Sequence, residues 1–334
     1  MPAEWERHEA TWLSYPHNQN SWPGKIDTIV PSYNLFIKTL TEVEMVHINV
    51  LDSTMEFLVK AALKQVGAFM VNLEFHQWPT NDAWCRDHGP AFLLNRKEPG
   101  RRALVDWQYN AWGGKYPYEL DNQIPQRIAD HFGMEAFHPG IIMEGGSIDV
   151  NGCGDLLTTK ACLLNENRNP HLSQGEIEQY LRDYYGVENI IWLGDGIDGD
   201  DTNGHVDDLS RFVNEDTIVT AVEHDKSDIN YAPLQENLKA LNQCRLANGK
   251  QPNVVELPMP QPVIYEDQRL PASYANFYLA NGLVIFPTYK CNEDTQAAYI
   301  LEEVFPNRQI VGIDSTDIVW GLGSFHCLSQ QMPE

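Results

Sequence analysis

The chain alternates between two hydrophobic periods. Apolar residues that recur at every second position predict strands, and apolar residues that recur every three or four positions predict helices. Two helix starts carry the spacing of a capping box, Ser53 with Glu56 and Ser173 with Glu176. The predicted helices are residues 33–43, 53–65, 119–132, 173–185, 233–247 and 293–304. The predicted strands are residues 45–51, 71–75, 91–94, 103–109, 141–150, 156–164, 190–193, 205–212, 217–222 and 318–320.

Helices recur at a regular interval along the chain. Their starts near Ser53, Glu119, Ser173, Pro233 and Glu293 are roughly sixty residues apart, with several short strands between them. Units of this kind can close radially into a ring, which protects the edges of their sheets. An open α/β sheet also alternates helices with strands, so the interval alone does not exclude it. The 334 residues could form two domains or one, and no linker divides them.

Composition narrows the classes of partner. The formal net charge of -24 disfavours nucleic acid and anionic membranes and suits a small cationic molecule, although many cytoplasmic proteins are also acidic. The six cysteines are too sparse for a disulfide framework and contain no Cys-x-x-Cys pair, which indicates a reducing compartment. No apolar run is long enough for a membrane span or a signal peptide. We therefore expect a soluble, cytoplasmic protein.

The end of the chain carries the first candidate for chemistry. The apolar run at residues 318–320 predicts a buried strand, and Gly321 and Gly323 then offer two residues free to take positive φ. Cys327 follows this turn, where backbone can approach a ligand as a nucleophile must. A buried, inert thiol is the alternative, because free cysteine usually behaves as a small hydrophobe. In an extended segment His326 would point away from Cys327, so the base is expected elsewhere.

An acidic, glycine-rich loop at residues 198–204 supplies the candidate base. His205 is predicted to begin a strand, which places His205 and Asp207 on one face and Asp208 on the other. An imidazole beside a carboxylate can transfer protons. A calcium loop is a poor alternative, because the glycine and the final glutamate do not fall at the required positions. A solvated acidic loop before an ordinary strand is the other alternative.

Two further segments offer carboxylates. Glu144 ends an apolar run and precedes two glycines, so it can face a ligand at the end of a strand, although a plain β-turn explains the same pattern. Asp87 lies with Trp84 and Arg86 in a loop bounded by prolines, which could be a binding surface or a packed connector. One thiol, one histidine and several acids suit a planar guanidinium, because carboxylates bind its paired N–H groups and leave its carbon open to attack.

These residues lie in motifs that resemble the agmatine deiminase family of the guanidine-modifying (pentein) superfamily. The resemblance runs over nearly the whole chain and keeps the motifs in order. They are residues 1–6, 83–90, 110–114, 144–147, 156–159, 162–165, 167–170, 202–207, 276–281 and 321–333. The resemblance implies a single domain over residues 1–334 with a five-bladed α/β propeller of ββαβ-type units around a central channel. It also implies a homodimer and a reaction without cofactor or metal.

The resemblance assigns a role to each matching position. Cys327 is expected to be the nucleophile, His205 the general acid/base, and Glu144 the carboxylate that orients the histidine. Asp87 and Asp207 are expected to bind the guanidinium. Asp201 is expected to hold the substrate, with Trp84 as a wall for its methylene chain. The implied reaction converts agmatine and water to N-carbamoylputrescine and ammonia through an amidino-cysteine intermediate.

The sequence departs from the family pattern beside the nucleophile. Leu322, Ser324 and Phe325 replace a glycine, an asparagine and an isoleucine of the usual Gly-Gly-Gly-Asn-Ile-His-Cys, while every expected catalytic position is intact. The same chemistry on free, methylated or peptide-bound arginine therefore stays open. Free arginine would need a cationic anchor such as Arg86 or Arg168. A non-catalytic binding protein on the same propeller is the alternative from a different class.

Overall fold

The computed structural model describes residues 1–98 and 100–334. In this part of the chain the strands form five sheets of three or four strands and one two-stranded hairpin, and none of these sheets closes on itself. The five sheets share one topology. An antiparallel pair is followed by a strand parallel to its second member, and a helix connects the two parallel strands. The repeated unit is thus mixed α/β, as the regular spacing of helices predicts.

The regular elements are numbered here in chain order. The strands are β1 (His8–Ser14), β2 (Met45–Asn49), β3 (Leu73–His76), β4 (Ala91–Leu94), β5 (Arg102–Val105), β6 (Glu135–Phe137), β7 (Ile148–Val150), β8 (Asp155–Thr159), β9 (Asn189–Leu193), β10 (Ser210–Phe212), β11 (Thr217–Val222), β12 (Asn253–Pro258), β13 (Ile264–Tyr265), β14 (Gln268–Arg269), β15 (Tyr278–Ala280), β16 (Leu283–Thr288), β17 (Gln309–Asp314) and β18 (Ser329–Pro333). The helices are α1 (Ile26–Thr41), α2 (Ser53–Gln65), α3 (Cys85–His88), α4 (Ala111–Gly114), α5 (Ile124–Phe132), α6 (Lys160–Leu163), α7 (Gln174–Tyr185), α8 (Tyr231–Gln243) and α9 (Glu293–Val304). Within residues 1–98 and 100–334, no helix has the length and apolar character to cross a bilayer.

The first sheet joins the two ends of the chain. Its strand order is β18-β1-β2-β3, with β18 antiparallel to β1 and β1 parallel to β2. Strand β1 was not predicted from the sequence. It lies between two strands and is buried on both faces, so its residues lack the alternation that marks a half-exposed strand.

Several helix predictions are confirmed and others need correction. α2 and α9 have the predicted bounds, and the capping box at Ser173 is present. The cap of α2 is Asp52, whose carboxylate accepts from two backbone N–H groups at 2.9 Å, so the predicted box at Ser53 is wrong. Helix α1 begins at Ile26, seven residues before the predicted start at residue 33, and Pro31 lies inside it.

Two predicted strands next to the candidate residues are wrong. Ile318–Gly321 is a 3-10 turn, and the carbonyl of Ile318 accepts a hydrogen bond from the buried Trp22 indole. The strand prediction failed because a short apolar run is compatible with any buried conformation. His205 precedes another 3-10 turn, Val206–Asp208, and the strand begins only at Ser210. The argument from alternating strand faces therefore does not apply to His205 and Asp207.

The fold brings five chain segments to one place. Each segment lies just before the first strand of one sheet, where the chain leaves a turn and enters the antiparallel pair. Asp87 precedes β4, Glu144 precedes β7, Asp207 precedes β10, Asn276 precedes β15 and Cys327 precedes β18. Because the five sheets share a topology, these equivalent positions place residues distant in sequence around one site.

Candidate active site

The thiol of Cys327 is buried at the meeting point of these segments. Its Sγ accepts a hydrogen bond from Nδ2 of Asn276 at 2.9 Å and lies 3.7 Å from Oδ2 of Asp207. Burial raises the pKa of the Cys327 thiol well above its usual value, and the carboxylates of Asp207, Asp208 and Asp87 raise it further. Without a bound cation, the thiol form is therefore favoured over the thiolate.

The glycines before Cys327 provide space rather than positive φ. Leu322 takes the left-handed conformation, with φ of 71°, whereas Gly321 and Gly323 do not. A Cβ on Gly321 would lie 2.5 Å from Trp22, and a Cβ on Gly323 would lie 2.7 Å from Trp84. The expectation of two flexible glycines is thus corrected.

The other departures near the nucleophile are accommodated by packing. The Ser324 hydroxyl is hydrogen-bonded to that of Ser315 at 2.7 Å, and Phe325 is fully buried with its ring 4.8 Å from that of Phe36. Both side chains therefore belong to the wall behind the loop.

His205 is buried with neither ring nitrogen hydrogen-bonded. Nδ1 lies 3.7 Å from Oδ1 of Asp87, and Nε2 lies 4.0 Å from Oε2 of Glu144. Burial lowers the pKa of His205 to about 3, against the opposing attraction of Asp207. The neutral imidazole can accept a proton, and Glu144 lies close enough to influence its orientation without bonding to it.

Arg168 holds Glu144 on the side away from the histidine. Its Nε donates to Oε1 of Glu144 at 2.6 Å, and its Nη2 donates to the carbonyl of Thr202 at 2.8 Å. Burial raises the pKa of Glu144 although Arg168 opposes the shift. Arg168 therefore ties the Glu144 segment to the loop that carries His205, and its Nη1 donates to Asn167 and Asn203.

Asp87 and Asp207 face the same space but differ in their surroundings. Asp87 accepts from the Trp112 indole and from the backbone N–H of Gly146, each at 2.9 Å. Burial, followed by repulsion from Asp207 and Glu144, raises the pKa of Asp87 well above its usual value. Burial acts in the same direction on Asp207, but the hydrogen bond and charge of His326 lower the pKa of Asp207 overall.

Gly146 allows the three groups to approach one another. A Cβ at this position would lie 2.6 Å from Nδ1 of His205, 2.8 Å from Oδ1 of Asp87 and 3.0 Å from Oδ2 of Asp207. Any side chain here would push apart the groups gathered at the site. The two glycines after Glu144 are thus part of the site and more than a β-turn.

Several buried polar atoms at the site have no hydrogen-bond partner among the described residues. A buried polar atom without a partner costs about 1–3 kcal/mol, so a cluster of them is unusual. Oxygens dominate the cluster and could accept hydrogen bonds from a cation. The atoms are Oε2 of Glu144, both ring nitrogens of His205, Oδ1 of Asp207 and Oδ2 of Asp208.

A cavity of about 770 Å³ opens from Cys327 to solvent. Aromatic side chains line it, and two of its acids are Asp87 near the thiol and Asp201 toward the mouth. Trp84 forms part of the wall and stacks on Trp22 at 5.1 Å. The cavity lining therefore includes Asp201 and Trp84, the two residues expected to contact the substrate beyond its guanidinium.

The cavity lining carries no cationic side chain among the described residues. The ammonium of Lys115 lies nearby but donates to Oδ1 of Asp201 at 2.9 Å. Arg86 lies in a separate cavity on the other side of Asp87, where its Nη1 donates to Gln331 at 2.7 Å. Neither arginine considered as a carboxylate anchor lines the cavity at Cys327.

Sequence comparison now identifies the family. A model of Porphyromonas-type peptidyl-arginine deiminase matches residues 1–333. The chain belongs to this family. An agmatine deiminase of Pseudomonas aeruginosa is 36% identical over 357 residues, with 100% of this chain and 95% of the relative covered.

Two solved structures of agmatine deiminases are similar to this chain over nearly their full length. The C. jejuni agmatine deiminase with substrate bound has a TM-score of 0.90 and 36% identity, with 100% and 96% of the two chains covered. The Enterococcus faecalis agmatine deiminase has a TM-score of 0.93 and 31% identity, with 100% and 95% covered. An amidinotransferase of Microseira wollei is 11% identical with a TM-score of 0.55, which indicates a shared fold alone.

The structure also shows site residues that were not predicted from the sequence. Asn276 contacts Cys327 through both its amide nitrogen and its oxygen, which accepts from the Cys327 N–H at 3.3 Å. His326 lies between two carboxylates, with Nδ1 2.6 Å from Asp207 and Nε2 2.8 Å from Glu4. Asn276 and Glu4 lie in motifs noted in the sequence, but the motifs did not indicate which contacts they make.

Proposed function

We propose that the chain hydrolyses agmatine to N-carbamoylputrescine and ammonia through a covalent amidino adduct on Cys327, using side chains alone. The observation that supports this proposal most directly is that the Cys327 sulfur lies beside Asp207 and Asp208, each of which has a buried oxygen without a partner among the described residues. A guanidinium has five N–H donors in one plane and fits acceptors arranged around a nucleophile. The substrate named for the related structures has such a group at one end.

Asp87 and Asp207 bind the guanidinium in this proposal. Both are buried; Asp87 lines the cavity and Asp207 lies 3.7 Å from the Cys327 sulfur, so paired N–H groups can bind them while the central carbon faces Cys327. The cation also neutralises the carboxylates that raise the pKa of Cys327. Substrate binding thus promotes loss of the thiol proton at the moment when the nucleophile is needed.

His205 carries the protons. The thiol proton passes to the neutral imidazole as the C–S bond forms, and the imidazolium returns it to the amino group that departs as ammonia. Water then attacks the amidino carbon after giving a proton to His205, the C–S bond breaks, and the thiol is regenerated. Glu144 orients the imidazole and stabilises its charged form, because its free oxygen lies 4.0 Å from Nε2.

The cavity favours a substrate with a cationic tail. Trp84 provides an apolar wall for a methylene chain. The two oxygens of Asp201 accept from Lys115 and Tyr116, and each has a second lone pair that an ammonium group can bind. A free α-carboxylate would meet acids, and no Lys or Arg lines the cavity within the described residues. Peptide-bound arginine is the second candidate, because the family model carries that substrate in its description and the cavity is open to solvent.

The architecture forms part of the proposal. The five repeated units are the blades of a five-bladed α/β propeller spanning residues 1–334 as one domain, with the site in the central channel. Support comes from the equivalent position of the five site segments before the first strand of each sheet and from the pairing of β18 with β1. We also propose that the protein is a cytoplasmic homodimer and that the product of its reaction is used in a later step that forms putrescine. The free state of all six cysteines supports a reducing compartment.

A substrate panel tests the function. Purified protein should release ammonia from agmatine, and mass spectrometry should identify N-carbamoylputrescine. Free arginine, methylarginine and an arginine-containing peptide should be at least about a hundredfold poorer in kcat/KM, since each replaces or buries the cationic tail. Release of ammonia from the peptide with comparable efficiency would favour the second candidate. No ammonia from any of the four would overturn the deiminase proposal.

A further inference from the structure

A cluster of imidazoles and one carboxylate lies apart from the catalytic cavity. His47 is on β2, and Glu74 and His76 are two positions apart on β3, so the last two side chains point to the same face. His131, in the last turn of α5, reaches the same carboxylate. The cluster therefore joins the first sheet to a helix of the next unit, and the proposed reaction uses none of these four residues.

The separations between the polar atoms suit a tetrahedral metal ion. Nδ1 of His47 lies 3.0 Å from Nε2 of His76, and the two oxygens of Glu74 lie 3.6 and 3.9 Å from these nitrogens. Nε2 of His131 lies 3.5 Å from Oε1 of Glu74. Ligand atoms about 2.0–2.1 Å from a tetrahedral zinc ion are about 3.3 Å from one another. The observed distances differ from this value by 0.2 to 0.6 Å.

The surroundings hold the imidazole rings in place. The Trp12 indole stacks on His47 at 4.5 Å and on His76 at 4.8 Å, which restricts rotation of both rings. Nδ1 of His47 and Nε2 of His76 face each other in a hydrogen bond, which a bound ion would replace. The Glu74 side chain is 46% exposed, which gives an ion a path from solvent.

We propose that His47, Glu74 and His76 bind a zinc ion, with water in the fourth position. Imidazole and carboxylate are both ordinary zinc ligands. An ion bound here would link β2 to β3 and would not take part in the reaction at Cys327. Its expected effect is on stability, because an ion that binds only the folded chain shifts the unfolding equilibrium.

Titration of the full-length protein with Zn²⁺ tests the site. After treatment with a chelator and desalting, isothermal titration calorimetry should show one ion bound per chain, and Zn²⁺ should raise Tm. The Glu74→Gln variant should weaken binding at least about tenfold, because a neutral amide is a poor zinc ligand. Glu74 is half-exposed, so this variant should fold normally and keep its activity. Glu135→Gln, at an exposed glutamate on β6, is the matched control and should bind like wild type.

Cobalt distinguishes this site from the catalytic cysteine. Cys327 and its two neighbouring carboxylates, Asp207 and Asp208, could also hold an ion. Co²⁺ bound by imidazole and carboxylate should give tetrahedral visible bands without a thiolate charge-transfer band in the near ultraviolet, and the Cys327→Ser variant should give the same spectrum. Equal Zn²⁺ affinity in Glu74→Gln and wild type, a thiolate band, or no binding at micromolar Zn²⁺ would each overturn the proposal.

Discussion

Two buried histidines lie near Asp207 and differ in their hydrogen bonds. His326 is bonded at both ring nitrogens, to Asp207 at 2.6 Å and to Glu4 at 2.8 Å. His205, which is equally buried, has no hydrogen bond at either nitrogen to any described residue. Two acceptors on one ring require both nitrogens of His326 to donate, whereas His205 is free to accept a proton or to release one.

The difference divides the site into a bonded half and an unbonded half. The bonded half continues from His326 through Glu4 to Arg211, which donates to Glu4 at 2.6 Å and to Asp149 at 3.1 Å. The unbonded half is named for His205 and the second oxygen of Glu144, which have no hydrogen-bond partner among the described residues, and it also includes the thiol, which Asn276 contacts. A fully bonded network fixes positions, and groups without partners can bind and react. We infer that the first half sets the geometry of Asp207 and the second performs the reaction.

The largest expected effect in the unbonded half is that of Cys327→Ser. Serine has a much higher pKa and is a poorer nucleophile than cysteine, so turnover should be abolished. The carboxylates that bind the cation remain, so agmatine should still raise Tm of the variant. Ammonia release and thermal denaturation measure the two effects. Turnover near the wild-type rate would place the nucleophile elsewhere.

His205→Ala should lower kcat by at least about a hundredfold, a typical contribution of general acid/base catalysis. The ring makes no hydrogen bond, so its loss should affect stability little beyond the volume removed. Steady-state kinetics with agmatine measures the effect. His138→Ala, at an exposed histidine beside Asp106, is the control and should leave kcat unchanged. A near-normal rate in His205→Ala would remove this residue from the proton transfers.

The sequence predicted the periodic elements well and the irregular ones poorly. Strands β4 and β11 and helices α2 and α9 have the predicted bounds, because each has a clear hydrophobic period. Strand β1 was missed, and the turn at Ile318–Gly321 was mistaken for a strand. In both segments burial removes the alternation of polar and apolar residues that distinguishes a strand from a turn.

Motifs predicted the unbonded half of the site better than the bonded half. Cys327, His205 and Asp87 were expected together, and the structure places them around one cavity or in contact with its lining. Glu4 and His326 are 322 positions apart, and nothing local indicates that they form a hydrogen bond. His326 was not predicted to serve as the base, because an extended segment would point its side chain away from Cys327. In the structure its ring contacts Asp207.

The pH dependence of alkylation tests the state of the free thiol. The pKa of Cys327 is raised, so the thiolate fraction, and with it the rate of labelling by iodoacetamide, should rise about tenfold per pH unit without levelling off below pH 9. By contrast, kcat should level off at lower pH, because the bound cation favours the thiolate. Peptide mapping in a Cys153→Ser background, which lacks the exposed thiol, measures labelling at Cys327. A plateau near neutral pH would contradict the proposed role of the substrate.

Glu4→Gln tests the bonded half. The variant removes a buried carboxylate opposite Arg211 and His326, which should destabilise the fold by about 3 kcal/mol. Burial opposes ionisation of Glu4, but Arg211 and His326 lower its pKa, so its contribution is present at neutral pH and is lost as pH falls. Glu4 acts through His326 as a positioning residue. The pH profile of kcat/KM should therefore shift as Asp207 loses its fixed partner, and an unchanged profile would leave Glu4 with a structural role alone.

The smallest expected effect is that of Asp208→Asn, which should raise the stability of the fold, whereas Glu4→Gln should lower it. Asp208 accepts from Nδ2 of Asn276 at 2.9 Å, and its second oxygen has no partner among the described residues. Burial and the neighbouring Asp207 and Asp200 raise its pKa well above the usual value. The unfolded carboxyl ionises more readily than the folded one, so Asp208 destabilises the fold increasingly as pH rises above about 4.

Asparagine keeps the oxygen that Asn276 requires and removes the charge. Asp208→Asn should therefore raise the free energy of unfolding by about 1 kcal/mol at pH 7 and by nothing near pH 3. Chemical denaturation at the two pH values measures this difference, with Asp225→Asn as the control at an exposed acid. The same variant should label faster at Cys327, because one of the charges that raise the thiol pKa is gone. A loss of stability at pH 7 would mean that Asp208 belongs to the bonded half of the site.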